Sequence, residues 1–313
     1  MSNKDKITNV AHSVSVRLKH YSKEHSENFN FILQRYVMER FIYRLSISKY
    51  SDKYILKGAS LFFIWKGRNY RITRDSDFLG YGSPDLDNLR NIFQQITSLI
   101  PPQDDGVIFD SDNLKITRLK EGADYEGARI VIPANIGPAK IRIQIDIGFG
   151  DAVVPDPEVV NYPTLLEFPA PKLRVYSVYT VISEKFHALA TIGMLNSRMK
   201  DIHDLCLISR FFNLDFELLR QAIRETFIKR KTSFPEKKPM VFDSVFYDDK
   251  DKNVQWRAFI RKSKPVETFT TLKSALDEVF YFLEIPMASL SNDNFEKMKW
   301  YPGKGWLLEI PEK

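Results

Sequence analysis

The chain has 313 residues, 43% of them hydrophobic and 27% charged, with a formal net charge of +6. That length and balance exclude a disordered or fibrous protein and leave room for more than one lobe, since domains commonly run to ~100–200 residues. The single cysteine, Cys206, excludes an intrachain disulfide framework and fits a reducing compartment.

Apolar stretches such as "FFIW" and "VFYFLEI" fall short of the ~20 residues needed to cross a bilayer. The opening "MSNKDKITNVAHS" lacks the apolar centre of a signal peptide, so the expectation is a cytoplasmic protein without membrane contact. His203 stands three residues before Cys206, but with no second Cys/His pair nearby a zinc site is not expected. Lysines and arginines are spread along the chain, a mild pointer to a polyanionic partner.

In chain order, residues 28–47 carry Leu33, Val37, Phe41 and Leu45 at four-residue spacing with Arg35, Glu39 and Arg44 on other faces. This pattern predicts an amphipathic helix. In "DKYILKGASLFFIWKG" a short strand at 54–56 breaks at Gly58 and a helix runs from Ala59 to Trp65, closed by Gly67. "YRITRDSDFLG" then has strand character, which places Asp75 and Asp77 on one face. The pair alone reads by default as solvated strand or turn carboxylates, because Asp85/Asp87 and Asp110/Asp112 repeat the spacing.

Further strands are expected around "NLKITRLK", "GARIVIPA" and "AKIRIQIDIGFG". In the last, Ile141, Ile143, Ile145 and Ile147 form a core face opposite Asp146. A proline-rich stretch from Val153 to Ser177 reads as a loop between domains, which would span residues 1–175 and 176–313. From Val178 onward the pattern is mostly helical, with Asn213 and Asp215 as turn or cap positions.

The order of elements bears on chemistry. A glycine turn with a small hydroxyl residue, Gly58 to Ser60, can offer backbone amides and a hydroxyl to phosphate. Carboxylates from Asp75, Asp77 and Asp146 meeting beside that turn would suit magnesium, which prefers oxygen ligands. Lys200 and Asp204, four apart on a helix, read as a surface pair, and Lys185 in mid-helix as a solvated side chain, unless a wider pattern recruits them.

Such a pattern exists. This order of elements resembles the nucleotidyltransferase fold: α+β, a mixed sheet flanked by helices, followed by a mostly helical C-terminal lobe. The segments "MERFIYRLSISKYSDKYILKGASLFF", "RITRDSDFLG", "IQIDIGFGD", "VISEKFHALATIGMLNSRMKDIHDL" and "VQWRAFIRK" resemble, in order and spacing, the motifs of the AbiEii/AbiGii toxins, relatives of the MenT toxins. The resemblance runs from about residue 28 to about residue 285.

It implies a toxin of a bacterial toxin–antitoxin or phage-defence system that moves an NMP from an NTP to RNA, the tRNA 3′ end above all, under an antitoxin encoded nearby. It implies magnesium or manganese at Asp75, Asp77 and Asp146. It implies nucleotide contacts by Gly58, Ser60, Arg71, Lys185 and Asp201, with Lys185 on the triphosphate and Asp204 as a further catalytic candidate. Ala59 departs from the family by replacing its second glycine. The alternatives are a non-catalytic RNA- or protein-binding module on the same scaffold, or a phosphotransferase or protein-nucleotidylating enzyme.

Overall fold

A computed structural model describes residues 9–67, 75–120, 126–267, 269, 271–291 and 295–309. The chain divides into two compact units, one of the described residues in 9–150 with Glu158–Val175, the other of Asp151–Pro157 with the chain from Tyr176 onward.

The first unit opens with α1 (Val10–Glu24) and α2 (Phe29–Ser46). Each starts on an asparagine whose side chain accepts backbone amides: Asn9 from His12, and Asn28 from Asn30 and Phe31. A side-chain oxygen there satisfies N–H groups that the first turn leaves without helical partners. β1 (Tyr54–Lys57), α3 (Ser60–Lys66), β2 (Asp75–Gly80) and α4 (Leu86–Thr97) follow, then β3 (Ile108–Phe109), β4 (Lys115–Lys120), β5 (Glu126–Ile136), β6 (Ala139–Phe149), β7 (Glu158–Asn161) and β8 (Lys172–Val175).

One eight-stranded sheet joins them in the order β3-β5-β6-β2-β1-β8-β7, with β4 also paired to β5. It is mixed: β2 runs parallel to β6 and β1 to β8, while β1/β2, β5/β6 and β7/β8 are antiparallel. Pro133 lies where β4's pairing to β5 stops at Val131 and β3's begins at Ala134, a position that asks no ladder N–H of it on that side. Ile143, Ile145 and Ile147 of β6 are fully buried on the face where α2 packs.

Two expectations are corrected in this unit. The proline-rich segment is not merely a connecting loop: β7 and β8 return to the sheet, and β8 lies beside β1. Nor are Glu39 and Arg44 on solvated faces of α2; with Arg40 they are buried. Arg44 grips Asp105 with both terminal nitrogens, at 2.8 and 3.1 Å, and donates to the carbonyl of Val107 at 3.1 Å. Glu39 pairs with Arg40 at 2.7 Å and accepts the amide of Leu165 at 2.7 Å. From Tyr36 to Leu45 the helix is buried all round, and its charges serve loops packed against it.

The second unit is mostly helical: α5 (Val178–Ile192), α6 (Met199–Phe211), β9 (Leu214–Asp215), α7 (Phe216–Lys229), the single turn α8 (Ser244–Tyr247), α9 (Lys250–Ser263) and α10 (Leu272–Ala288). Asp215 caps α7 through the amide of Leu218, and Asp249 caps α9 through that of Lys252. A hairpin of β10 (Met298–Tyr301) and β11 (Gly305–Leu308) adds to β9 as a small sheet. Trp300 seals it onto α6 by donating its indole N–H to the carbonyl of Ser209 at 2.7 Å. No helix among the described residues is long and apolar enough to cross a membrane.

Candidate active site

β1 ends at Lys57, and the chain turns at Gly58 with φ +77°. That left-handed conformation favours glycine. A second constraint acts there too: a Cβ built on Gly58 would collide with Oδ2 of Asp77. The turn is bare because the Asp77 carboxylate lies against it. Ala59, by contrast, has φ −69°, a right-handed backbone open to any residue, so its methyl group costs no strain. Ser60 begins α3 and is buried.

The register of four strands then aligns charges in one row. Lys57 of β1 pairs with Asp77 of β2, Asp77 with Asp146 of β6, and Asp146 with Arg129 of β5. Paired residues share a face and neighbouring strands lie ~4.8 Å apart, so two carboxylates stand side by side with a cation at each end. Asp75, two residues before Asp77, shares that face beside Gln144. All three aspartates are partly exposed.

Asp146 is not idle. Arg129 holds it bidentately, Nε to Oδ1 at 2.9 Å and Nη2 to Oδ2 at 2.7 Å, and Gln144 adds a longer donation at 3.4 Å. The hydrogen bond to Asp146 raises the Arg129 pKa above its ordinary value, and the fields of Asp75 and Asp77 push the same way. Among the described residues no three His, Cys, Asp or Glu side chains converge as a metal-binding group. The expectation that Asp146 joins Asp75 and Asp77 as a ligand therefore meets an occupied carboxylate. The chemistry of Asp75 and Asp77, two partly exposed carboxylates on one face, fits magnesium, which commonly takes one or two carboxylates and completes its shell with water and substrate phosphate.

In the second unit, α5 and α6 bring Lys185, Asp201 and Asp204 together. The Lys185 ammonium donates to Asp201 at 2.6 Å and to Asp204 at 2.9 Å, and Arg198 takes the other Asp201 oxygen at 2.6 Å. Both aspartates are buried. Burial alone would raise the Asp201 carboxyl, but Lys185 and Arg198 pull it down to about 2. Of the two readings of Asp204, a surface pair with Lys200 or a place beside Lys185, the structure has the second: Lys200 is exposed, while Asp204 is buried against Lys185. His203 stands next to Asp204, with Nδ1 3.8 Å from Oδ1, and bonds the carbonyl of Glu267 through Nε2. Cys206 is buried, with its thiol donating to the carbonyl of Ala275.

The other acidic repeats have local duties. Asp85 caps α4 through the amide of Asn88, and Asp110 binds the side chain of Asn113. Arg71 lies outside the described residues. Sequence reasoning missed Lys57 and Arg129. Lys57 directly precedes Gly58, and Arg129 alternates with apolar neighbours in "GARIVI", but the register that aligns them with the aspartates is a property of the sheet.

The α+β fold thus carries an acidic pair on one strand of a mixed sheet, with Asp77 against a glycine turn, the arrangement expected of a nucleotidyltransferase. Residues 40–279 match the family described as the nucleotidyl transferase AbiEii toxin of type IV toxin–antitoxin systems. The chain belongs to that family. Among solved structures it is similar to a candidate nucleotidyltransferase from H. pylori, with a TM-score of 0.47 and 14% identity over 85% of this chain and 98% of that one. It is also similar to JHP933 from Helicobacter pylori, with a TM-score of 0.45 and 15% identity over 84% and 94%. No curated protein matches.

Proposed function

We propose that the chain transfers an NMP from an NTP to RNA, with the tRNA 3′ end as acceptor, releasing pyrophosphate and blocking growth. The observation that carries this reading is the acidic pair Asp75/Asp77 on one face, with Asp77 lying against Gly58 and in register with Asp146. A divalent cation, magnesium or manganese, would be held by Asp75 and Asp77, and when bound it polarises the phosphorus under attack and neutralises the departing pyrophosphate. Gly58 and Ser60 form the turn that lets phosphate approach the backbone.

Asp146 orients the attacking hydroxyl or takes its proton. Lys185 is the phosphate-holding cation of the second unit, with Asp201 and Asp204 fixing its ammonium. Arg71 contacts phosphate. The protein acts in the cytoplasm, within a toxin–antitoxin or phage-defence pair whose antitoxin is encoded nearby. The positive net charge favours a polyanionic acceptor.

The test is incubation of the purified protein and its Asp75→Asn variant with magnesium, each labelled NTP in turn and total RNA. Label is expected in tRNA-sized RNA with the wild type alone. Equal transfer by the variant would remove the metal assignment. Label in protein would favour a protein-nucleotidylating enzyme, and RNA retention without transfer in both proteins would favour a binding module.

A further inference from the structure

Arg129 has no part in the roles assigned so far, yet it takes both oxygens of Asp146 in a bidentate bridge. Its side chain is 40% exposed, against 18% for that of Asp146. Its fork is therefore reachable from solvent, whereas the carboxylate it covers is largely enclosed. Register places it at the end of the row that begins with Lys57 and runs through Asp77. A guanidinium and a divalent cation compete for the same carboxylate lone pairs, and the planar fork of arginine matches phosphate as well as carboxylate.

We infer that Arg129 keeps Asp146 out of the cation's coordination shell in the free protein and exchanges Asp146 for a phosphate of the incoming nucleotide. The inference rests on the reading of Asp75 and Asp77 as the metal pair. The consequence is ordered assembly. Without nucleotide the cation has two carboxylates and binds weakly. With nucleotide, a phosphate oxygen takes the fork of Arg129, and Asp146 is released to serve the cation or the attacking hydroxyl. No covalent bond changes in the exchange; one charge-assisted pair replaces another.

Removing the fork should unmask a third carboxylate. Manganese affinity is measured by paramagnetic resonance titration of Mn2+ alone with the full chain, in the wild type, Arg129→Gln, Arg129→Lys and Arg129→Gln/Asp146→Asn, with circular dichroism checking each fold. Arg129→Gln is expected to bind Mn2+ about tenfold tighter or more, within the range over which neighbouring groups tune metal sites. The double variant should lose that gain. Arg129→Lys keeps the charge but not the fork and should tighten binding part of the way.

Equal affinity in wild type and Arg129→Gln overturns the inference. So does a gain that survives Asp146→Asn, or an Arg129→Lys variant identical to wild type, because either shows a bare charge effect. The underlying reading fails separately: an Asp75→Asn/Asp77→Asn variant that binds Mn2+ as the wild type does would show that these aspartates are not the metal pair.

Discussion

At the scale of single residues, Gly58 carries two demands that no other side chain meets together. Its φ of +77° disfavours a Cβ, and the space a Cβ would need is filled by the Asp77 carboxylate. Gly58→Ala is therefore expected to cost about 1–2 kcal/mol through the backbone alone, and to push Asp77 off its place in the row. Nucleotide transfer should fall more than the stability loss explains. The control is Ala59→Gly, which relieves no strain because Ala59 is already right-handed and should leave transfer near wild type. Denaturant midpoints and transfer rates of both variants at one temperature check this; an active Gly58→Ala protein would show that Asp77 need not sit against the turn.

At the scale of elements, the sequence was most legible where a period repeats. The four alternating isoleucines of β6 marked a strand with Asp146 on its far face, and Gly58 and Gly67 marked the ends of α3. Legibility failed where strands are short or charges are buried by partners far along the chain. β7 and β8 have four residues each, too few for a period to emerge among prolines. The cross-sheet row was hidden for a different reason. Two of its members were read as acids, but the cations at its ends are set by register, which depends on the whole sheet.

The charges of α2 were misread because a helical wheel shows spacing and not what lies beyond the helix. Arg44 meets Asp105 from 61 residues away, and both side chains are nearly inaccessible. Arg44→Met should leave that carboxylate buried without its cation, with only the amide of Val107 donating to it, at a cost of about 3–5 kcal/mol. Adding Asp105→Asn should recover part of the loss, as a double-variant cycle in urea would read. A loss below about 1 kcal/mol, the ordinary worth of an exposed pair, would show that the bridge is not buried in solution.

At the scale of the whole molecule, the two units carry buried groups that answer acid in opposite senses. In the first, burial raises Glu39 to about 7 from 4.5, with Arg40 and the amide of Leu165 opposing. The folded form therefore holds a proton between those values that the unfolded chain does not, and its stability rises as pH falls from about 7 to 4.5. In the second, burial lowers His187 to about 4 from 6.5, helped by the neighbouring Arg230. There the unfolded chain binds the proton first, and stability present above 6.5 is lost as pH falls towards 4.

Each shift corresponds to roughly 3–4 kcal/mol at most. Their effects nearly cancel in a global unfolding free energy between pH 4.5 and 6.5, while the units separate locally. Hydrogen exchange, corrected for intrinsic rates, should show α2 and β6 gaining protection at pH 5 relative to pH 7 while α5 and α7 lose it. His187→Gln should abolish the loss and leave the gain. Asp201, held at about 2 against 3.8, adds a further loss in the second unit only below pH 4. Parallel protection changes in both units at pH 5 would mean that they unfold as one cooperative body, and the opposed titrations would then be visible only as a flat pH profile.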